Sequence, residues 1–184
     1  REWGGVGGLE WLANGKPGTM VWCGWWWGSR APRTGIAWSV GVGVRGAQPR
    51  TTAAWIGFVL RLGVALGCEF RTERVFARKN YLYPDMTKNY QITQYDRPLC
   101  EHGELSVVVD GEPRTFALTR IHCEEDAGKS FHPERVGDRR ISRLEFNRAG
   151  TPLPELVTEP VLRTPAACAA FLTAMRRLGR ALWA

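Results

Sequence analysis

Two segments of the chain carry apolar residues at helical spacing. The first, residues 53–67, ends in glycine, which predicts a helix with a glycine stop. The second begins at Thr164 and Pro165, a capping residue followed by proline at the first helical position, and runs to about Leu182. Arginines lie in its last turns, where a helix favours positive charge. The pattern therefore predicts one helix before and one helix after the middle of the chain.

Shorter stretches between these helices alternate with a period of two. Residues 104–109 and 115–123 flank Asp110 and Gly111, which predicts a β-hairpin with its turn at Asp-Gly. Further strands are predicted over 69–78, 139–147 and 155–158. Helices beside a hairpin-rich sheet predict an α+β fold, with a mixed or antiparallel sheet and flanking helices.

The beginning of the chain differs in composition from the rest, so we divide it into an atypical Gly/Trp-rich segment, 1–52, and a segment of ordinary composition, 53–184. Eight of the nine tryptophans lie within residues 1–55, and three are adjacent at 25–27. Adjacent side chains of a helix or strand cannot all face inward. The segment is either an exposed aromatic surface for a partner or the result of a frame or sequence error, since GC-rich codons read out of frame give Gly, Trp, Arg and Ala.

Length, charge and cysteines restrict the class of protein. The 184 residues, 44% of them hydrophobic, are enough for one domain with a core. The net charge of +7 is spread along the chain, which favours a solvated surface over a nucleic-acid-binding stripe. The cysteines are odd in number and lack a C-x-x-C pair, which fits a reducing compartment. No membrane span and no secretory leader are visible, so a cytoplasmic or organellar location is expected.

The segment from Arg78 to Asp96 is dense in basic, amide and phenol groups. Lys79 and Lys88 are candidates to face phosphates, and Tyr81 is a candidate to stack on a base or ribose. A long surface loop with half-buried tyrosines explains the same residues without a ligand. The residue types alone leave both interpretations open.

Three consecutive carboxylates, Glu124, Glu125 and Asp126, follow His122 at the end of a predicted strand. Like charges this close repel each other unless a cation or basic groups neutralise them, and oxygen ligands suit Mg²⁺. If the strand continues, His122 and Glu124 share one face and Glu125 points to the other. The alternative is an acidic turn in solvent.

A third polar segment places Asn147 and Arg148 just before a short strand that carries Glu155 and Glu159. A lone arginine at such a place is commonly part of a structural salt bridge. The sequence contains no G-x-S-x-G, no G-x-x-x-x-G-K-[ST] and no H-E-x-x-H motif, so these nucleophile, phosphate-loop and zinc-protease signatures are excluded.

Taken in order, the three polar segments resemble one family. They read FARKNYLYPDMTKNYQITQYDRPLC, LTRIHCEEDAGKS and LEFNRAGTPLPELVTEP. Their order and spacing closely resemble the GatB subunit of the aspartyl/glutamyl-tRNA amidotransferase over residues 56–182. The resemblance extends weakly to residues 8–10, which look like the family's first strand, and to residues 23–24.

The resemblance implies a glutamine-synthetase-like catalytic domain, of which this chain is expected to be an amino-terminal fragment without the tRNA-binding tail. Members of the family pair with a glutaminase subunit and with a small third subunit. With ATP and Mg²⁺ they phosphorylate the side-chain carboxylate of misacylated Glu-tRNA or Asp-tRNA, and ammonia then gives Gln-tRNA or Asn-tRNA. The chain is therefore expected to be part of a carbon–nitrogen ligase, and to be inactive alone.

The resemblance carries two groups of site residues onto this chain. The acidic positions of the family's metal site, with a neighbouring histidine, correspond to Glu10, His122, Glu124 and Glu125. The nucleotide side corresponds to Lys79, Tyr81, Lys88, Asn147 and Arg148. The expected catalytic residues are Lys79, Glu124 and Glu125.

Two other functions are compatible with the same sequence. The first is a non-catalytic remnant that only docks on partner subunits, and it is favoured by Leu12, which stands where the family usually has histidine. The second is a general RNA-binding module that uses the tyrosine and lysine segment. Magnesium-dependent ATP binding separates the ligase subunit from both alternatives, whereas salt-dependent binding to unrelated RNA favours the RNA-binding module.

We predict that the purified chain holds no zinc. The family often has a four-cysteine zinc cluster, of which only Cys23 remains, because its other positions align with Trp25, Trp38 and Gly41. One thiolate cannot hold a structural zinc ion. Elemental analysis is expected to find no stoichiometric zinc, and one equivalent per chain would contradict the prediction.

Overall fold

The computed structural model describes residues 7–10, 21–24, 45, 51–147 and 149–183. The strands in chain order are β1 (Gly7–Glu10), β2 (Val21–Gly24), β3 (Glu69–Phe70), β4 (Ala77–Asn80), β5 (Tyr90–Thr93), β6 (Cys100–Glu101), β7 (Glu104–Val109), β8 (Glu112–Glu125), β9 (Lys129–Ser130), β10 (Glu134–Val136), β11 (Arg139–Ile141), β12 (Leu144–Glu145) and β13 (Pro152–Thr158). The helices are α1 (Ala53–Ala65) and α2 (Pro165–Trp183). No helix in the described ranges is long and apolar enough to cross a membrane.

Helix α1 begins where the sequence predicts and ends at Ala65, two residues before the predicted end. The hydroxyl of Thr52 accepts a hydrogen bond from the backbone N–H of Trp55 at 3.3 Å, which satisfies one of the free donors of the first turn. The helix ends before Gly67, whose φ of 66° is readily adopted only by a residue without a Cβ. Helix α2 likewise begins at Pro165 after the capping residue Thr164, as predicted.

Strands β7 and β8 form the predicted hairpin. Asp110 and Gly111 have φ values of 52° and 87°, the signs that a two-residue type I′ turn requires. Strand β8 runs past the predicted end at 123 and finishes at Glu125. This extension keeps His122, Glu124 and Glu125 in regular strand geometry, which the candidate site requires.

One antiparallel sheet of seven strands organises the fold. Its order is β1-β2-β13-β8-β6-β3, with β7 paired to the first half of β8. The hydrophobic core lies where α1 and α2 pack on this sheet, and Phe116 of β8 meets Phe171 of α2 edge to face at 5.9 Å between ring centres. The predicted α+β class with an antiparallel sheet is confirmed. The predicted strand at 8–10 is β1, and residues 23–24 lie in β2.

Three predictions about the strands and loops are corrected by the structure. The strand predicted over 69–78 is two short strands, β3 and β4, because the charged residues between them have no apolar alternation to bury. The segment 78–96 contains the β4–β5 hairpin and is not one long loop. The strand predicted over 139–147 is broken into β11 and β12, which pair with β10 and β9.

We predict opposite effects for the same substitution at two glycines. A Cβ at Gly103 would collide with the sulfur of Cys68 and lie 2.9 Å from the carbonyl oxygen of Leu66, so Gly103→Ala is expected to lower the free energy of unfolding by about 1–3 kcal/mol. At Gly57 in α1 the atom nearest to an added Cβ would be 3.9 Å away, so Gly57→Ala is expected to raise the free energy of unfolding by up to about 1 kcal/mol. Urea denaturation measures both, and a stabilised Gly103→Ala would contradict this packing.

Candidate functional site

Three polar side chains meet on the face of the sheet opposite the core. Glu155 of β13 lies directly across from His122 of β8, and Leu153 lies across from Glu124. The alternate residues Ile121 and Cys123 belong to the core, so the period of two sends His122 and Glu124 to the other face. The sheet register therefore brings two carboxylates and one imidazole together.

The three groups are close enough to share a proton or a cation. Nε2 of His122 lies 3.5 Å from Oε2 of Glu124 and 3.7 Å from Oε1 of Glu155. One ligand atom from each residue lies within 4.8 Å of those of the other two. Nε of Arg120 donates to Nδ1 of His122 at 3.3 Å, so the neutral ring carries its proton on Nε2 and directs it toward the carboxylates.

The carboxylate of Glu124 is held by the segment that forms β5. Nε2 of Gln91 donates to Oε1 of Glu124 at 2.6 Å and to the backbone oxygen of Glu125 at 2.8 Å. The hydroxyl of Thr93 donates to Oε2 of Glu124 at 3.1 Å. The backbone N–H of Cys123 donates to Oε1 of Gln94 at 3.0 Å, which ties the same segment to β8. Strand β5 therefore fixes both the backbone and the carboxylate at the end of β8.

Glu125 makes a separate set of contacts. Its carboxylate is paired with the ammonium of Lys88 in a buried ion pair, and it also accepts a hydrogen bond from the backbone N–H of Ile92 at 2.6 Å. The ammonium of Lys88 lies 5.0 Å from the ring centre of Tyr90, which adds a cation–π contact. Glu125 is therefore neutralised by a protein cation, whereas Glu124 is held by an amide, a hydroxyl and an imidazole.

The two clustered carboxylates have opposite pKa shifts. Burial, followed by the negative charge of Glu124, raises the pKa of Glu155 to about 8. Burial also opposes ionisation of Glu124, but hydrogen bonds from His122 and Glu155 outweigh it, and the pKa of Glu124 is lowered. Burial lowers the pKa of His122. At neutral pH the cluster therefore holds one ionised carboxylate, one protonated carboxyl and a neutral imidazole.

The other predicted nucleotide-side residues differ in their exposure and contacts. Lys79 on β4 is exposed, and its positive charge acts on His122, Glu124 and Glu155. Tyr81 is half-buried and stacks on Tyr83 with ring centres 5.8 Å apart. The amide of Asn147 donates to Oε1 of Glu145 at 3.0 Å. The remaining positions that the family resemblance singled out lie outside the described residues: Leu12, Trp25, Trp38, Gly41 and Arg148.

Glu10 is placed by the backbone of β1. It pairs with Val21 of β2, and β13 separates β2 from β8. Three strand spacings, or about 14 Å, therefore separate the backbone of Glu10 from that of β8. The structure brings His122 and Glu124 together as predicted, and Glu125 stands beside them without joining the cluster.

Glu155 and the side chains that hold Glu124 were not predicted as site residues. The sequence predicts that Glu155 lies on a strand, but it does not indicate which residue lies across from it. The pairing of β13 with β8 places His122 there. The signal available was a glutamate between apolar residues in the sequence PLPELV, since a charge at a strand interior is rarely buried without a partner.

The donors present fit a hard divalent cation. Glu124 and Glu155 offer carboxylate oxygens from two adjacent strands. The pair retains one proton at neutral pH, and a bound cation can take the place of that proton. Mg²⁺ commonly takes one or two protein carboxylates and fills its other positions with water and phosphate oxygens. With its proton on Nε2, His122 serves better as a donor that orients these carboxylates than as a ligand.

Comparison with known proteins places the chain in a family. The sequence model of the GatB/GatE catalytic domain matches residues 8–183. The chain is 46% identical over 145 residues to the aspartyl/glutamyl-tRNA(Asn/Gln) amidotransferase B subunit of Frankia casuarinae, a match that covers 77% of this chain and 29% of the relative. It is 42% identical over 175 residues to the B subunit of Anaeromyxobacter sp. (strain K), which covers 95% of this chain and 36% of the relative.

The chain belongs to the GatB/GatE catalytic domain family, as the three polar motifs indicate. The B subunit of Bdellovibrio bacteriovorus gives a similar match, 43% identical over 143 residues, which covers 78% of this chain and 29% of the relative. The chain spans about a third of the length of these relatives, since the matches cover 29% to 36% of them. The family match begins at residue 8 and so includes most of the Gly/Trp-rich segment.

We predict that Glu155 makes the stability of the chain fall as pH rises. In the unfolded chain its pKa is near 4.5, and in the fold it is about 8, so the folded state binds more protons between these values. Each proton contributes a slope of up to about 1.4 kcal/mol per pH unit. His122 contributes the opposite slope, but only below its unfolded pKa of 6.5, because its folded pKa is lowered. The loss should therefore be clearest between pH 6.5 and 8.

Urea denaturation across this pH range is the measurement. Glu155→Gln, which cannot ionise, is expected to remove the slope, whereas Glu104→Gln at an exposed position of β7 should leave it unchanged. A Glu155→Gln variant whose free energy of unfolding changes with pH between 6.5 and 8 as that of the parent does would contradict a protonated Glu155.

Proposed function

We propose that the chain is the catalytic part of a tRNA amidotransferase subunit that uses ATP and Mg²⁺ to phosphorylate the side-chain carboxylate of misacylated Glu-tRNA or Asp-tRNA. The acyl phosphate is then amidated to Gln-tRNA or Asn-tRNA with ammonia from a glutaminase subunit, in a complex that also contains a small third subunit. Family membership supports the amidotransferase assignment, and the names of the relatives refer to aspartyl/glutamyl-tRNA(Asn/Gln). We also propose that the domain has a glutamine-synthetase-like fold.

The observation that carries the proposal is the buried pair of carboxylates on β8 and β13. We propose that Glu124 and Glu155 hold the cation, with the Nε2–H of His122 orienting them. Bound Mg²⁺ and ATP would supply the transferable phosphoryl group and neutralise the charge that spreads over it. A carboxylate is a poor acyl donor, and phosphorylation gives it a leaving group.

The residues of the chain prepare this site in three ways. Gln91 and Thr93 hold the carboxylate of Glu124 in one orientation, so less reorganisation is needed when a cation binds. Lys88 neutralises Glu125 and keeps a second negative charge from adding to the cluster. Lys79 is exposed and electrostatically coupled to the cluster, which suits a side chain that binds phosphate.

The remaining predicted residues keep their proposed roles. Tyr81 is proposed to stack on the nucleotide, and Asn147 and Arg148 to contact it from the segment before β13. The participation of Glu10 in metal binding stays a prediction. The resemblance also implies a metal-binding and catalytic role for Glu125, but its carboxylate is paired with Lys88, so we propose Glu155 in its place as the partner of Glu124.

Calorimetry of ATP binding with and without Mg²⁺ tests the proposal. The parent chain is expected to bind ATP only with Mg²⁺, and the double variant Glu124→Gln/Glu155→Gln to bind it at least about tenfold more weakly. Glu112→Gln, at the exposed beginning of β8, is the matched control and should bind as the parent does.

Two outcomes would contradict the proposal. Equal, metal-independent ATP binding by the parent and the double variant would show that the carboxylate pair is not the nucleotide site. No binding by a folded parent would favour the non-catalytic alternative, in which the chain only docks on partner subunits.

A further inference from the structure

A two-stranded arm, residues 129–145, leaves the sheet directly after the candidate site. Strand β9 pairs with β12 at its base, and β10 pairs with β11 toward its tip, where Gly137 turns the chain with a φ of 61°. Every residue from Lys129 to Arg140 is exposed. The arm therefore has no core of its own to explain its sequence.

The base of the arm is fixed while its tip extends from the domain. The N–H of Gly128 donates to the carbonyl of Asp85 at 2.9 Å, and a Cβ on Gly128 would lie 2.8 Å from the ring of Phe146. The arm starts only four residues after Glu125. Strands β9 and β10 are joined by residues 131–133, so the eight residues from Lys129 to Val136 reach at most about 25 Å from this base.

The charges on the arm are strongly biased. Residues 129–143 contain five lysines and arginines but only two acidic residues. Arg143 is paired with Glu134 at 2.7 Å, whereas Arg135, Arg139 and Arg140 make no ion pair with any carboxylate in the described ranges. Three guanidinium groups are thus left to solvent on one small hairpin.

Two of these arginines face each other across the ladder. Arg135 and Arg140 are directly opposite in the β10–β11 register. Like charges in this position destabilise a hairpin, and a hairpin without a core is only marginally stable. An anion bound between the two guanidinium groups would remove this repulsion, and a phosphate accepts hydrogen bonds from both.

An exposed aromatic ring accompanies the charges. The side chain of Phe131 is 41% exposed, and the ammonium of Lys129 lies 4.7 Å from its ring centre. An exposed ring beside a cation suits the sugar and base next to a phosphate better than it suits an acidic peptide. The partner that fits the arm is therefore a nucleic acid.

We propose that the arm binds the phosphate backbone of RNA and so holds the body of the aminoacyl-tRNA whose charged end reaches the carboxylate site. This proposal rests on the proposed function, because it takes the substrate to be an aminoacyl-tRNA. The arm begins at the site and extends away from it, as a support for a long substrate must. Its contacts are with phosphates, so they position the RNA and do not read its sequence.

The test is binding of fluorescently labelled tRNA, followed by anisotropy between about 50 and 200 mM KCl in EDTA. The variant Arg135→Gln/Arg139→Gln/Arg140→Gln is compared with Arg176→Gln/Arg177→Gln/Arg180→Gln, which removes the same charge from exposed positions of α2. The arm variant is expected to lose at least about tenfold in affinity at the low salt concentration and to have a salt slope smaller by about two. The α2 variant should keep the slope and most of the affinity of the parent.

Several outcomes would overturn the proposal. The first is that the parent does not bind RNA at the low salt concentration. The second is that the two triple variants lose affinity equally. The third is that polyglutamate displaces the RNA as readily as unlabelled RNA does, which would indicate an acidic protein partner. EDTA and the absence of ATP make the assay independent of the cation site. A folded parent that binds RNA through the arm but does not bind ATP would therefore contradict the proposed function and leave RNA binding by the arm intact.

Discussion

The structure around the site depends on one buried carboxylate, that of Glu124. Removing an ionised carboxylate from water costs several kcal/mol unless donors and neighbouring groups compensate. Here Gln91, Thr93 and His122 supply donors, and the neighbouring Glu155 stays protonated. The same contacts tie β5 to the end of β8, so the groups that compensate the charge of Glu124 also hold these two strands together. Without β5, the end of β8 would carry an unsatisfied charge.

This arrangement gives two adjacent glutamates different surroundings. Glu125 is neutralised by Lys88 and so acts as a fixed part of the framework. Glu124 shares its surroundings with Glu155, so ionisation of Glu155 would place two negative charges side by side. In the proposed site a divalent cation would compensate both charges, and the exposed Lys79 would be available to phosphates. The basic arm that follows β8 would, in the proposed role, offer the same kind of electrostatic attraction to RNA.

Local rules predicted the local elements well. The caps of α1 and α2 and the Asp110–Gly111 turn depend on neighbouring residues, and the structure has them where the sequence indicates. The role of Glu155 and its meeting with His122 depend instead on which strands lie side by side, and spacing along the chain contains no such information. Likewise, the alternation of β8 predicted that His122 and Glu124 share a face, but it could not indicate that Glu125 is paired with a lysine. The family resemblance supplied the amidotransferase assignment, which composition and charge alone did not.

The most direct test of the proposed site is to determine which glutamate binds a metal ion together with Glu124. Mn²⁺, which substitutes for Mg²⁺ at carboxylate sites, can be followed by electron paramagnetic resonance as it binds the parent, Glu155→Gln and Glu125→Gln. We expect that the parent binds Mn²⁺, that Glu155→Gln weakens binding by about tenfold or more, and that Glu125→Gln binds nearly as the parent does. Loss of binding in Glu125→Gln with retention in Glu155→Gln would contradict the assignment, as would a folded parent that binds no Mn²⁺.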